Sequence, residues 1–236
     1  MLENVYTYKY PHPAVATDAV VFGYDGKKLS ILLIERGIEP YKGCWSLPGG
    51  FMHMDETAEQ GAIRELAEET NVQDIYLEQF HTFTTVNRDP RERVLSIAFF
   101  ALVRKSDYNV IAGDDAAKAE WFNINELPDL AFDHAEIISM AKEKIQDTLR
   151  VKPIAFKLLD ERFIMSELQR LYEIINETEY DRRNFQKKMI ATGFIDDEGL
   201  CEEPMRCRAP QMFSFNEKAF NDALKAKTLK KYPFDF

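Results

Sequence analysis

Cysteine is scarce: the 236 residues hold three, Cys44, Cys201 and Cys207, scattered and odd in number. That excludes a disulfide framework, and no metal-ligand spacing joins them, so they fit a reducing, cytoplasmic setting. Long hydrophobic runs are missing too. No stretch approaches the roughly 18 uninterrupted apolar residues that a membrane helix needs. The opening "MLENVYTYKYPHP" lacks the basic-then-apolar layout of a secretion signal, and neither a repeat nor a low-complexity tract is visible. Positive charge is short as well, but only in the first half. Residues 1–149 carry 14 Lys/Arg against 25 Asp/Glu, a net −11, whereas residues 150–236 carry 16 against 15, a net +1. An acidic first half repels nucleic acid unless metal ions intervene, and the asymmetry points to two units with different partners. What is present is ample apolar content, 45 % of residues, enough for a true core.

The order of patterns supports the same division. "AVATDAVVFGYDGKKLSILLIER" reads as two apolar strands around a Tyr24-Asp25-Gly26 turn. "CWSLPGGF" is a short extended piece broken by Pro48, Gly49 and Gly50. Ala58 to Thr70 is helical by period, with Ala62, Ile63, Leu66 and Ala67 as its apolar stripe. "IYLEQFHTFTTV", "RVLSIAFFALVRK" and "AEWFNINELPDL" carry further strands. From His134 the pattern turns helical, beginning with the amphipathic "AEIISMAKEKIQDTLR". The boundary falls near residue 150, giving units 1–150 and 151–236 and an α/β class for the first.

The segment "GGFMHMDETAEQGAIRELAEETNV" crowds six acidic residues and one arginine into a helix-forming run. Like charges three and four residues apart cost an isolated helix about 0.2–0.5 kcal/mol per pair, so the crowding needs a reason. Glu65, Glu68 and Glu69 stand at i, i+3 and i+4 on one face, away from the apolar stripe. Three carboxylates on a rigid face are hard oxygen ligands that suit Mg²⁺ or Mn²⁺ better than Zn²⁺. Such ions neutralise a diphosphate and activate water for attack on phosphorus. Gly50 allows a tight backbone turn before the helix, Glu56 lies near the positive end of its dipole, and Arg64 orients a glutamate through paired hydrogen bonds. The competing reading is a solvated, charged helix face.

Gly50-x5-Glu56-x7-Arg64-Glu65-Leu66-x-Glu68-Glu69-x-Asn71-Val72 resembles the Nudix box, G-x5-E-x7-R-E-U-x-E-E-x-G-U with U apolar, and departs from it only at Asn71. Asparagine is the next best residue to glycine in a left-handed helix cap. The resemblance implies an α/β/α sandwich that uses Mg²⁺ to cleave a nucleoside diphosphate joined to another group. It also implies metal-ligand roles for Glu65, Glu68 and Glu69, with Glu56 and Arg64 in support. For the substrate, Arg36, Trp45 and the "NRDPRER" loop are candidates to hold phosphates or stack a base. Arg88, Arg91 and Arg93 in that loop read either as phosphate ligands or as an ordinary charged turn. His53 and His81 read as structural, and Asp114, Asp115 and Glu120 as solvated.

"MSELQRLYEIINETEYDRRNFQKKMIATGFI" has the layout of two helices joined by a polar turn, with Arg182, Arg183, Lys187 and Lys188 concentrated on the second. Followed by a hairpin, this is a winged helix-turn-helix whose second helix enters the major groove. The four cations, with Arg206 and Arg208 in the wing, contact phosphates, and Asn184 and Gln186 are placed to touch base edges. The plainer alternative is a helical cap with solvated basic side chains; the acidic "DDEG" and "CEEP" in the wing speak for it. Five segments, "LPGGFMHMDET", "RDPRERVLSIAFFAL", "LAFDHAEII", "PIAFKLL" and "SELQRLYEIINETEYDRRNFQKKM", make the chain from about residue 14 to 215 similar to the NrtR type of Nudix-related regulators. That resemblance implies a homodimer on a palindromic double-stranded DNA operator, with a Nudix domain sensing ADP-ribose or a sugar. Many such regulators have a degraded box; this one is intact, so hydrolysis of an ADP-ribose-like compound is expected too. Two other readings stand: a plain pyrophosphatase whose second unit only dimerises, and a sensor that never cleaves its ligand.

Overall fold

The computed structural model describes residues 7–113, 116–201 and 209–236. The chain divides into two compact units. One runs to Phe22 and then comprises Ile31–Ala101 and Tyr108–Ser139; the other comprises Gly23–Ser30, Leu102–Asp107 and Met140–Phe236.

The main sheet has seven strands. β1 (Ala14–Tyr24), β2 (Leu29–Arg36), β3 (Trp45–Ser46), β4 (Gly49–Phe51), β5 (Glu78–Phe83), β6 (Val94–Arg104) and β7 (Ala116–Asn123) form it, in the order β3-β2-β1-β6-β5, with β4 on β1 and β7 on β2. The near-continuous apolar runs of β1, β2 and β6 are buried, as strands covered on both faces require. The β1–β2 turn closes because the Asp25 carboxylate accepts the backbone N–H groups of Lys27 and Lys28 at 2.9 and 2.8 Å. β4 runs antiparallel to β1, setting Gly50 opposite Thr17 and Gly49 opposite Asp18.

Helix α1 (Ala58–Thr70) leaves β4 through a short loop and packs on β4 and β7. Its start is a capping box: the Thr57 hydroxyl accepts from Gln60 N–H while the Gln60 side chain accepts from Thr57 N–H. Its end is Asn71, left-handed at φ 59°, so asparagine does the work expected of the missing glycine.

Helix α2 (His134–Val151) is followed by a 3₁₀ turn over Ile154–Leu158. Then come β8 (Arg162–Ile164), α3 (Met165–Asn176), α4 (Arg182–Ile190), β9 (Ile195–Leu200), β10 (Gln211–Phe215) and α5 (Glu217–Lys225). The three strands pair antiparallel in the order β8-β10-β9. The core of this unit is aromatic: Phe156 stacks on Phe215 at 4.3 Å, and Tyr172 and Phe236 each abut Phe185. β8 and α5 have no counterpart in the sequence reading; the three residues of β8 are too few to show a period. Among the described residues no helix is long and apolar enough to cross a membrane.

Candidate carboxylate pocket and basic helix

Helical spacing puts Glu65, Glu68 and Glu69 on one side of α1, and the β4 glycines let them close on the sheet. A Cβ on Gly50 would stand 2.4–2.8 Å from the carboxylate atoms of Glu65. The requirement at Gly50 is therefore close approach, not the tight turn inferred from sequence; among the glycines with positive φ, it is Gly49 that lies in this strand, at 156°. Gly49 donates its N–H to Glu69 Oε2 at 2.8 Å. Glu69 is only 8 % exposed, and burial, reinforced by the neighbouring Glu65 charge, pushes its pKa up to about 8. Burial likewise raises Glu65.

Arg64 organises the remainder of the box. Its Nε and Nη2 grip Glu56 in a fork at 3.0 and 2.7 Å, its Nη1 donates to Glu65 and Glu68 at 2.8 and 3.0 Å, and Nη2 also reaches the Phe51 carbonyl. The hydrogen bonds from Arg64 hold the Glu56 pKa down at about 2, helped by the His53 N–H. Such charge-assisted forks are about twice as strong as neutral hydrogen bonds. With Glu65 and Glu68 both on Arg64, no three such side chains among the described residues are grouped to hold an ion. The donor chemistry nonetheless fits a hard divalent cation. One carboxylate is packed onto a glycine with no room for a Cβ, and a second is buried and short of positive charge.

Glu65, Glu69 and Gly50 open onto a cavity of about 330 Å³. Arg36, Arg88 and Arg91 line it as well. Arg88 is buried and clasps Asp133 at 2.6 and 2.8 Å, with Asp18 at 3.4 Å. Burial opposes its charge, but the two aspartates outweigh it and raise its pKa. Asp18 also accepts from Ser96 Oγ and faces His134 Nε2 at 3.5 Å, while His134 Nδ1 accepts the Leu47 N–H at 2.8 Å. Burial lowers the His134 pKa and keeps the ring neutral. Arg91 is paired with Asp89 through three contacts of 2.7–3.2 Å. Trp45 and Arg93 are not on the cavity wall. The Trp45 ring packs on Phe122 at 4.5 Å, and Arg93 ties down the Thr84 and Thr85 carbonyls. Of the two lone histidines, His53 lines the cavity beside Glu56, and His81 packs its ring on Phe83. Glu120 is exposed on β7; Asp114 and Asp115 lie outside the described residues.

In the other unit, α4 starts at Asp181, whose side chain accepts from Asn184 N–H at 2.8 Å. Phe185 and Met189 face the core. Arg182, Arg183, Asn184, Lys187 and Lys188 are exposed, Gln186 is half-buried, and the four cations make no ion pair among the described residues. The wing cations Arg206 and Arg208 lie outside the described residues.

The NUDIX domain family matches residues 12–141, and the NrtR DNA-binding winged helix domain matches residues 155–215. The chain belongs to the NrtR type of the Nudix family. It is 32 % identical over 192 residues to the ADPR responsive transcriptional repressor NtrR of Acinetobacter baylyi, covering 80 % of this chain and 76 % of that one. It is 44 % identical over 129 residues to an ADP-ribose pyrophosphatase of Methanocaldococcus jannaschii, covering 55 % and 73 %. Among solved structures, Shewanella oneidensis NrtR complexed with a 27mer DNA superposes with a TM-score of 0.67 at 27 % identity, covering 85 % of this chain and 93 % of that chain. Within this NrtR-type frame, sequence reasoning passed over Asp18, Asp89, Phe132 and His134 as cavity residues. Asp18 carried a usable signal, a lone carboxylate inside the apolar run of β1, because charged residues are almost never fully buried unless paired. The others sit in loops or at a helix start, where no period marks them.

Proposed function

We propose that the Nudix domain binds and hydrolyses an ADP-ribose-like nucleoside diphosphate derivative with Mg²⁺ or Mn²⁺, and that the winged helix binds a double-stranded operator. The protein would act as a cytoplasmic homodimer, with the two functions divided near residue 150. The observation that carries the reading is the pairing, in one chain, of an intact carboxylate box, two of whose glutamates line a cavity, with a helix whose four exposed cations make no ion pair among the described residues. The similarity to an ADPR responsive repressor over most of both chains supports it, as does the similarity of the first domain to an ADP-ribose pyrophosphatase.

Nudix hydrolases use divalent metals. Here Glu65, Glu68 and Glu69 would hold the ion, which when bound neutralises the diphosphate and makes a water acidic enough to attack phosphorus. Arg64 keeps Glu56 ionised and hydrogen-bonds both Glu65, which lines the cavity, and Glu68, which is exposed and not on the cavity wall. Gly50 keeps the Glu65 carboxylate against the sheet. Arg36 and Arg88 line the same cavity and would face the ligand's phosphates, the second matched by Asp18 and Asp133. On DNA, Arg182, Arg183, Lys187 and Lys188 would contact phosphates, with Asn184 and Gln186 toward base edges. Arg206 and Arg208, assigned to the wing from the sequence, would add further phosphate contacts.

One experiment addresses each half. Mg²⁺-dependent cleavage of ADP-ribose is expected, and the purified chain is expected to retard its own upstream DNA. No turnover over a panel of nucleoside diphosphate derivatives would remove the hydrolase; no retardation would remove the regulator. A sensor that binds without cleaving is favoured by one observation, that Arg64 already occupies Glu65 and Glu68. The turnover assay separates it from the hydrolase.

A further inference from the structure

Past residues 155–215, which the winged helix family matches, the chain continues through α5 and on to Phe236. From Ala223 to Pro233 it carries Lys225, Lys227, Lys230 and Lys231 and no acidic residue. All four lysines are exposed, and none makes an ion pair among the described residues. Elsewhere in this unit Lys142, Arg150 and Arg162 are matched by Glu177, Asp235 and Glu198. A basic run is ordinarily just a solvated surface, and Lys225 has a local reason of its own, the negative end of the α5 dipole. The other three lysines are distinguished by their backbone.

α5 ends in a Schellman motif, in which Thr228 N–H donates to the Ala223 carbonyl at 3.1 Å and Lys227 N–H to the Leu224 carbonyl at 3.2 Å. The left-handed position of that motif is Lys227, at φ 55°. Glycine stands there without strain, whereas a lysine carries the steric cost of its Cβ. Strain held in place by its surroundings clusters at functional sites. Glu177 is also left-handed at a helix end, and its side chain is engaged by Lys142. The Lys227 ammonium is left for something else.

Beyond Lys227 the chain is a strap rather than a loose tail. Tyr232 takes the Lys231 ammonium and the Arg150 guanidinium on its ring, at 5.1 and 4.8 Å, which leaves the Lys231 charge uncancelled. Phe234 is buried; its N–H donates to the Arg150 carbonyl at 3.1 Å, and Asp235 grips the Arg150 guanidinium at 2.9 and 3.0 Å. Phe236 then abuts Phe185, the core residue of α4, at 5.1 Å. Phe236 is five residues past Lys231, a reach of at most about 18 Å. That ties the lysines to α4 on the scale of one duplex turn, about 34 Å. The described strands of the wing offer no such charge, because β9 carries Asp196, Asp197 and Glu198 and neither β9 nor β10 a cation. Of the elements that follow α4, β9 repels a polyanion and the strap attracts it.

We propose that Lys227, Lys230 and Lys231 form a second DNA-binding surface of this domain, which grips the phosphates of the duplex that α4 engages and has no base preference of its own. The proposal rests on the reading of α4 as the DNA-contacting helix.

The test uses the full chain and two duplexes of equal length, one from upstream of its own gene and one of scrambled sequence, titrated by fluorescence anisotropy over a series of salt concentrations. Lys227→Gly removes the charge and relieves the backbone, so a folding defect does not explain its result; Lys230→Ala with Lys231→Ala is the second variant. Each is expected to weaken binding to the two duplexes by the same factor. The slope of log affinity on log salt should flatten by about 0.9 for Lys227→Gly and about 1.8 for the pair. An unaltered slope in either variant, or a loss confined to the upstream duplex, overturns the surface and leaves the α4 reading intact. A wild-type chain that binds neither duplex at low salt overturns both.

Discussion

The two charged helices of this chain treat their charge in opposite ways. On and just before α1 it is matched internally: the Arg64 guanidinium serves Glu56, Glu65 and the exposed Glu68, and Glu69 is buried on a backbone N–H. On α4 the cations stand in solvent with no counter-charge among the described residues, and only Phe185 and Met189 are committed to the core.

 In the proposed reading, the difference separates a site for a small, dense ligand from a surface for a long polyanion. Prepaid, desolvated contacts select geometry, whereas exposed cations gain mostly by releasing counterions and are therefore sensitive to salt.

The comparison can be broken most sharply at the box. Glu68→Gln and Glu69→Gln are each expected to lower Mg²⁺-dependent cleavage of ADP-ribose by on the order of a hundredfold or more, and chelating the metal should do the same to the wild type. DNA retardation without ligand should survive both substitutions; its loss would mean the two helices are not independent.

Next in size is the basic helix. Arg183→Ala with Lys187→Ala should weaken operator binding and flatten its dependence on log salt by about 0.9 per lost phosphate contact, with cleavage unchanged. An unaltered slope in a salt-titrated retardation assay removes α4 as the recognition helix.

A subtler break is Gly50→Ala. The added Cβ displaces the Glu65 carboxylate without touching its charge, and losses of about 10- to 100-fold in metal affinity are usual when the support of a ligand is disturbed. Metal titration of the variant measures this, and wild-type affinity would show that Glu65 need not sit where it does.

The smallest effect concerns stability. The folded pKa of Glu56, about 2, lies below its ordinary 4.5, so its pairing with Arg64 contributes stability that is fully present above about pH 4.5 and is lost as pH falls through 2. Thermal melts between pH 6 and 2 should show a part of the acid sensitivity that disappears in Glu56→Gln.

Local rules made much of this legible beforehand. The face shared by Glu65, Glu68 and Glu69, the left-handed cap at Asn71 and the outward-facing cations of α4 all follow from the 3.6-residue period and from cap chemistry, which involve only neighbours along the chain. The role of Arg64 was legible in kind but not in extent: a paired contact to one glutamate was expected, and three are served. Gly50 shows how a correct choice of residue can carry an incorrect reason. Its need for a missing side chain is set by Glu65, fifteen positions on, and not by its own backbone angles.

The cavity wall is where sequence reading stops. Asp18, Phe51, Phe132 and His134 come from a strand interior, a strand end, a loop and a helix start, and no period relates them. Strand pairing and the anchoring of Asp133 by Arg88 and of His134 by Leu47 bring them together. Composition and spacing decide which charges are made and along which helix they align, because those follow from bonds a few residues long. Which of them are buried, matched or left open to a ligand is decided by packing between distant segments, because burial and pairing are properties of neighbours in space.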